Sequence, residues 1–175
     1  MSDLHPDTAA RTVRLPTRAA AWLRTFWPQP FAVDGRERWR ATLGAVVGIL
    51  LTAWASRWFS GALHMGPWLV APLGASAVLV FALPASPLAQ PWSVVGGNTL
   101  SALIGVACAL WIPDPALAGA LAVGLAIGLM FTLRCLHPPG GATALLVVMA
   151  HNTDFHIAAF PILFNSVLLV LAGVL

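Results

Sequence analysis

From Ala41 to Leu175 the chain carries only four formally charged residues, Arg57, Asp114, Arg134 and Asp154, and its apolar stretches run almost end to end. Backbone placed in hydrocarbon finds no water, so each amide and carbonyl must be satisfied inside the protein. The stretches fall at roughly 41–58, 66–83, 92–112, 116–133, 138–150 and 156–175, and most approach the about 20 residues of a membrane-crossing helix. They are separated at Arg57, the Pro84 to Pro91 loop, Pro113-Asp114-Pro115, Arg134 and His151 to Asp154. The expectation is an all-α, polytopic transmembrane helix bundle of six segments. The fifth is short and the second contains Pro67 and Pro72, so each of these two either crosses or re-enters; both alternatives leave the chain ends on one side.

Composition agrees. The chain is 59% apolar and 9% charged, with a mean hydropathy of +0.84, whereas soluble domains carry about a quarter charged residues. Seven of the nine arginines precede position 41. Arg36, Arg38 and Arg40 abut the first span, which the positive-inside rule reads as a cytoplasmic N-terminus. No basic stripe or RNA-type aromatic motif supports nucleic-acid binding. Cys108 and Cys135 lack metal or redox spacing, and no cleavable signal sequence is expected, since the first 15 residues have no apolar core. Residues 1–39 read as a cytoplasmic segment in which Pro16 to Trp27 forms either an amphipathic interfacial helix or a connector packed on the bundle. Residues 40–175 read as the membrane domain, in the bacterial inner membrane.

Within that domain two runs break the apolar pattern with Pro and Gly: Pro72-Leu73-Gly74-Ala75-Ser76-Ala77 and His137-Pro138-Pro139-Gly140-Gly141-Ala142-Thr143-Ala144. A shift of 67 residues superposes them, with six of nine positions identical from Pro72 to Val80, and it carries Asn98 onto Asn165. A shift of 76 sets Gly44, Gly48 and Thr52 on Ala120, Gly124 and Gly128, a small-residue spacing suited to close helix contact. The chain therefore reads as two repeats, about 41–112 and 116–175, each with three segments of which the second is Pro/Gly-interrupted. Three crossings per repeat would make them inverted. Interrupted segments in matching positions of such repeats point to a transporter's midplane site.

The chemistry offered there suits a small anion. Helix N-termini starting at the prolines would expose amides of Gly74, Ala75 and Ser76 on one side and Gly141, Ala142 and Thr143 on the other, each end carrying a partial positive charge. Pro138, Pro139 and Gly140 shape the second end, Ser76 and Thr143 add hydroxyls, and Asn98 and Asn165 add amide donors or merely bridge helices. His137 has no counterpart in the first repeat; it binds substrate, titrates or caps the turn. Arg134 either snorkels to headgroups or draws anions in. His151 and His156 are five apart with no intervening Glu, so a zinc motif is not expected, and no nucleophile, base and orienter form a set. No enzyme activity, metal or cofactor is expected.

The run from His137 to Ala144, with Pro72 to Ala77 and Asn98, closely resembles the HPP family of integral membrane proteins, named for its His-Pro-Pro motif. The resemblance covers about residues 40–175. Members are commonly described with four transmembrane helices, and some carry cytoplasmic CBS domains; such a domain, and nucleotide control through it, is not expected here. Plant plastid and cyanobacterial relatives are associated with nitrite transport. The resemblance thus implies a transporter of a small inorganic anion, with nitrite leading, at His137 to Thr143 and Gly74 to Ser76. The alternatives are an anion channel, or a membrane scaffold or sensor without transport. A homodimer joined through the small-residue stripes is the expected assembly.

Overall fold

The computed structural model describes residues 22–23, 25–26, 33–63 and 69–174. Contacts divide the chain into residues 1–33 and 34–175. In the first unit the Trp22 and Phe26 rings meet edge to face at 4.8 Å; most of the amphipathic stretch expected at Pro16 to Trp27 lies outside the described residues, as do His64 and Pro67.

The second unit is helical throughout its regular structure. Among the described residues it comprises α1 (Gly35–Leu63), α2 (Pro72–Ala77), α3 (Pro91–Trp111), α4 (Pro115–Thr132), α5 (Pro138–Met149) and α6 (Phe164–Val174). Helix α2 continues as a π-helical turn over Val78–Ala82, and another such turn, Ala158–Leu163, leads into α6. A 3-10 turn, Pro87–Ala89, joins α2 to α3. Three helices, within Gly35–Gly61, Pro91–Trp111 and Pro115–Thr132, are long and apolar enough to cross a membrane; Pro72–Ala82, Pro138–Met149 and Ala158–Val174 are shorter.

Helix starts follow local chemistry. Asp34 Oδ1 accepts the Glu37 amide at 2.7 Å, and Asp114 Oδ1 accepts the Leu117 amide at 2.7 Å, two side-chain caps that satisfy first-turn donors. Pro115, Pro91, Pro138 and Pro72 each open a helix, where the missing N–H costs nothing. The two proline-rich runs therefore start short helices. At α5 the chain arrives through the non-helical residues 133–137.

Helices α4 and α5 also end alike. Arg134 (φ 56°) and His151 (φ 47°) adopt the left-handed conformation. The bonds Cys135 N–H to Met130 O and Arg134 N–H to Phe131 O, repeated as Asn152 to Val147 and His151 to Val148, complete Schellman motifs in which glycine is usual.

Helix α3 is the hub, packing against α4, α5 and the segment leading into α6. Its 21 residues span about 30 Å, the thickness of a hydrocarbon core. Exposed Trp92 and Trp111 stand at its two ends, as interfacial aromatics do. Relative to α3 the short helices run in opposite directions. Ser76 of α2 bonds Asn98 of α3 across the 83–90 connection, which makes that pair antiparallel. Helix α5 runs with α3, since Gly97 packs at His137 and Gly105 at Ala144 and Val147. Gly44 and Gly48 of α1, and Gly173 of α6, all lie against Phe81 or its neighbour Val80. That contact puts the start of α1, and hence Arg36, Arg38 and Arg40, at the Trp92 end with Arg134; Asp114 and Asp154 lie at the other.

The small-residue stripe of α1, expected to join a second copy, instead receives the Phe81 ring of the same chain. Its counterpart does not: Ala120, Gly124 and Gly128 are exposed, with nothing within 4 Å of a Cβ built at either glycine. Helix α4 turns Ala118, Ala122, Ala126 and Met130 inward instead.

Candidate functional site

Where the N-terminal parts of α2 and α5 meet, a chain of buried polar side chains runs through the bundle. His137 is fully buried and its Nδ1 lies 2.8 Å from the Leu88 carbonyl. A carbonyl only accepts, so Nδ1 carries a proton and Nε2, 2.8 Å from Ser76 Oγ, faces the hydroxyl. Asn98 Nδ2 donates to Ser76 Oγ at 3.1 Å and to Ser166 Oγ at 3.2 Å. Thr143 Oγ1 reaches Asn98 Oδ1 at 3.1 Å and the Pro139 carbonyl at 3.2 Å. Asn98 is seven residues into α3, about 10 Å along it. The cluster therefore lies about 5 Å from the middle of the helix, on its Trp92 side.

Glycines let the main chains close around it. A Cβ at Gly97 would stand 2.6 Å from His137 Cβ and 2.8 Å from the Cys135 carbonyl oxygen, and one at Gly140 would stand 2.7 Å from Ser101 Oγ. Such distances exclude a side chain at Gly97 and Gly140, so α5 sits almost backbone to backbone on α3.

The amides expected to face a ligand are spent elsewhere. Pro138 and Pro139 have no N–H, Gly140 donates to the His137 carbonyl at 2.8 Å, and from Gly141 onward the helix ladder takes over. In α2, Leu73 and Gly74 donate to Val70 and Ala71 at 3.1 and 3.0 Å. The prolines that mark these ends also remove the donors that such ends normally offer. Of the residues singled out in the sequence, Ser76, Asn98, His137 and Thr143 come together, with Pro139 and Gly140 behind them. Gly74, Ala75, Pro138 and Ala142 are exposed, and Gly141 is half-buried near Val123. Asn165 is buried but accepts from Ser56 Oγ of α1, so the two repeat-related asparagines occupy different surroundings. Ser166 and the Leu88 carbonyl join the cluster without a sequence signal. Thr52 and Thr99 hydroxyls are buried and have no partner among the described residues.

Beyond Leu88, at the Trp92 end, lies a groove of about 150 Å³ lined by Leu88, Ser93, Met130, Phe131, Arg134 and Leu136. The 3-10 turn that forms its floor is held by Leu88 N–H to Ser86 Oγ at 3.2 Å and Ser93 Oγ to the Pro87 carbonyl at 2.9 Å. Every charged residue among those described lies outside the buried set.

The family model for the HPP transmembrane region matches residues 30–175. The chain belongs to the HPP transmembrane-region family. It is an integral membrane protein, and the cluster just described contains both the motif histidine and the motif threonine of this HPP domain. Two transmembrane proteins of Dictyostelium discoideum are similar to it. One is 41% identical over 112 residues, 60% of this chain and 39% of its own length; the other is 39% identical over 115 residues, 62% of this chain and 37% of its own. The HPP chain thus spans well under half the length of these curated relatives. No solved structure matches it.

Proposed function

We propose that this HPP domain carries a small monovalent anion across the membrane, with nitrite the first solute to test, and that the side chains of Ser76, Asn98, Thr143 and Ser166 bind it beside His137. One observation carries the reading: a buried cluster made only of neutral donors and one imidazole, with no carboxylate among the described buried residues, at the level where two short helices run opposite ways. Buried polar groups in a membrane bundle mark solute pathways or bridge helices. The lack of buried negative charge favours an anion over a cation. Hydroxyl and amide hydrogens take the role first assigned to the helix-end amides.

The proline-opened short helices α2 and α5 occupy matching places in the two triplets and run opposite ways relative to α3, which supports the inverted-repeat reading and with it alternating access around the cluster. Under the positive-inside rule the Trp92 end, with its four arginines, faces the cytoplasm, and the start of α1 and the end of α6 lie on that side. The groove at Arg134 is then the cytoplasmic mouth. The outward stripe of Ala120, Gly124 and Gly128 is our candidate contact for a second copy. No enzymatic step is assigned to the domain.

Saturable nitrite uptake by liposomes containing the purified chain tests the proposal. Thr143→Val and Asn98→Ala should each lower uptake by about tenfold or more, the effect of losing a hydrogen bond to a charged partner. A protein that folds yet passes no nitrite, nitrate, formate or chloride would be a scaffold, and passage without saturation would make it a channel.

A further inference from the structure

The hydrogen-bond arithmetic of the cluster decides how an anion could enter it. Asn98 spends both amide hydrogens, on Ser76 and Ser166. Thr143 spends its hydroxyl hydrogen on Asn98 Oδ1 or the Pro139 carbonyl. His137 spends its Nδ1 hydrogen on the Leu88 carbonyl. The neutral imidazole therefore presents a bare lone pair at Nε2, and the Ser76 hydroxyl must donate to it. In this state the His137–Ser76–Asn98 line has no hydrogen left for a ligand, and the imidazole lone pair would repel one.

One added proton reverses the first link. With Nε2 protonated, the imidazolium donates to Ser76 Oγ, and the Ser76 hydroxyl hydrogen is released from Nε2; its one acceptor among the described residues is then the Pro72 carbonyl at a long 3.4 Å, which an anion would displace. The same proton supplies the charge that an anion in so dry a place requires, since a lone buried ion is costly and a paired one much less so. Resting on the transport reading above, we infer that the site binds a monovalent anion and one proton together, the proton residing on His137, so that the cargo is the pair of ions of a weak acid and the loaded site is neutral.

Among the described residues no other group competes for this role. Ser76 on α2, Gly97 and Asn98 on α3, the Leu88 carbonyl on the 3-10 turn, Thr143 on α5, Ser166 on α6 and Met130 on α4 face the cluster without a carboxylate or second imidazole. The remaining ionisable groups nearby are buried Cys135 and exposed Arg134 on the strap before His137. A divalent anion would leave an unpaired charge and should be excluded.

Purified full-length chain in liposomes, with membrane potential clamped by potassium and valinomycin and with a trapped pH dye, provides the test. Empty vesicles give the leak of nitrous acid to be subtracted. Expected are nitrite entry with acidification of the lumen, stimulation about tenfold per unit of inward pH gradient at subsaturating proton, and indifference to the clamped potential. The variant His137→Gln, which keeps a donor and an acceptor but cannot titrate, should lose the pH stimulation. Nitrite entry above the leak that follows the potential and ignores the pH gradient would overturn co-uptake while leaving transport standing. Entry no faster than the leak would overturn transport itself, and sulfate uptake matching nitrite would overturn the charge argument. The wild-type measurement decides even if His137→Gln fails to fold.

Discussion

Two residues hold conformations that their side chains disfavour. Arg134 at φ 56° ends α4 and turns the strap 135–137 into the bundle, and a left-handed non-glycine residue costs about 1–2 kcal/mol. Arg134→Gly should therefore raise stability by about 1 kcal/mol in an SDS unfolding titration, while removing the charge at the groove and slowing initial anion uptake. A stabilised, inactive variant would separate the two roles of that position. Gly97 makes the opposite case. Alanine there meets the Cys135 carbonyl oxygen and His137 Cβ, backbone-anchored atoms with no room to move, and should cost about 1–3 kcal/mol. Gly141→Ala, whose Cβ finds only Val123 Cγ1 at 3.9 Å, should stay within about 0.5 kcal/mol of the parent in the same titration. The sequence exposed His137, Ser76, Asn98 and Thr143 because each is a polar residue in apolar surroundings. Ser166 and Ser56 gave no comparable signal, since a serine in a membrane helix commonly satisfies itself on its own carbonyls.

Among the elements, Phe81 in the π-helical turn after α2 joins three helices by filling the notch of Gly44, Gly48 and Gly173. Phe81→Ala should cost about 3 kcal/mol, as an emptied aromatic site does, and loosen α2 enough to raise amide exchange at Ser76. The loop from Ala150 to Phe155 carries the other element-level test. Asp154 accepts from the His156 amide at 2.9 Å and from its ring at 2.7 Å, and these bonds, the amide first, hold its carboxyl below the usual range. Because the folded value lies under the unfolded one, the contribution is present above about pH 4 and fades as pH falls through the folded value. Exchange protection of the Ile157 amide should drop with acid in the parent and show no such drop in Asp154→Asn. Element boundaries were legible where proline or Asp114 punctuates the chain, whereas α1 begins at Gly35, capped by Asp34, ahead of the expected 41, because its first turns are charged and carry no apolar signal. The helix ends were misjudged because Pro138 and Pro139 mark a start and delete its donors at once. The outward face of α4 was invisible for another reason: lipid and protein interior are equally apolar, so polarity does not tell Gly124 from Ala122.

For the whole molecule, the proposed topology puts the start of α1 and the end of α6 on the Trp92 side, facing the cytoplasm. Reporter fusions at Met1 and Leu175 should both be active in the cytoplasm, and cysteines placed at Asp114 and Asp154 should be labelled by impermeant maleimide only from the opposite face; labelling from one face at Asp114 and the other at Asp154 would break the arrangement. The eccentric depth of the cluster has a kinetic consequence. On the near side a single 3-10 turn, pinned by Ser86 and Ser93, separates His137 from the groove, whereas on the far side about 20 Å of α3 lies beyond Asn98 and about 9 Å of α5 beyond Thr143. Unlatching one short turn is a smaller rearrangement than parting two helices. A loaded molecule should thus empty toward the near compartment sooner than toward the far one, so that half-saturation differs between the two faces while the one-way fluxes stay equal at equal concentrations.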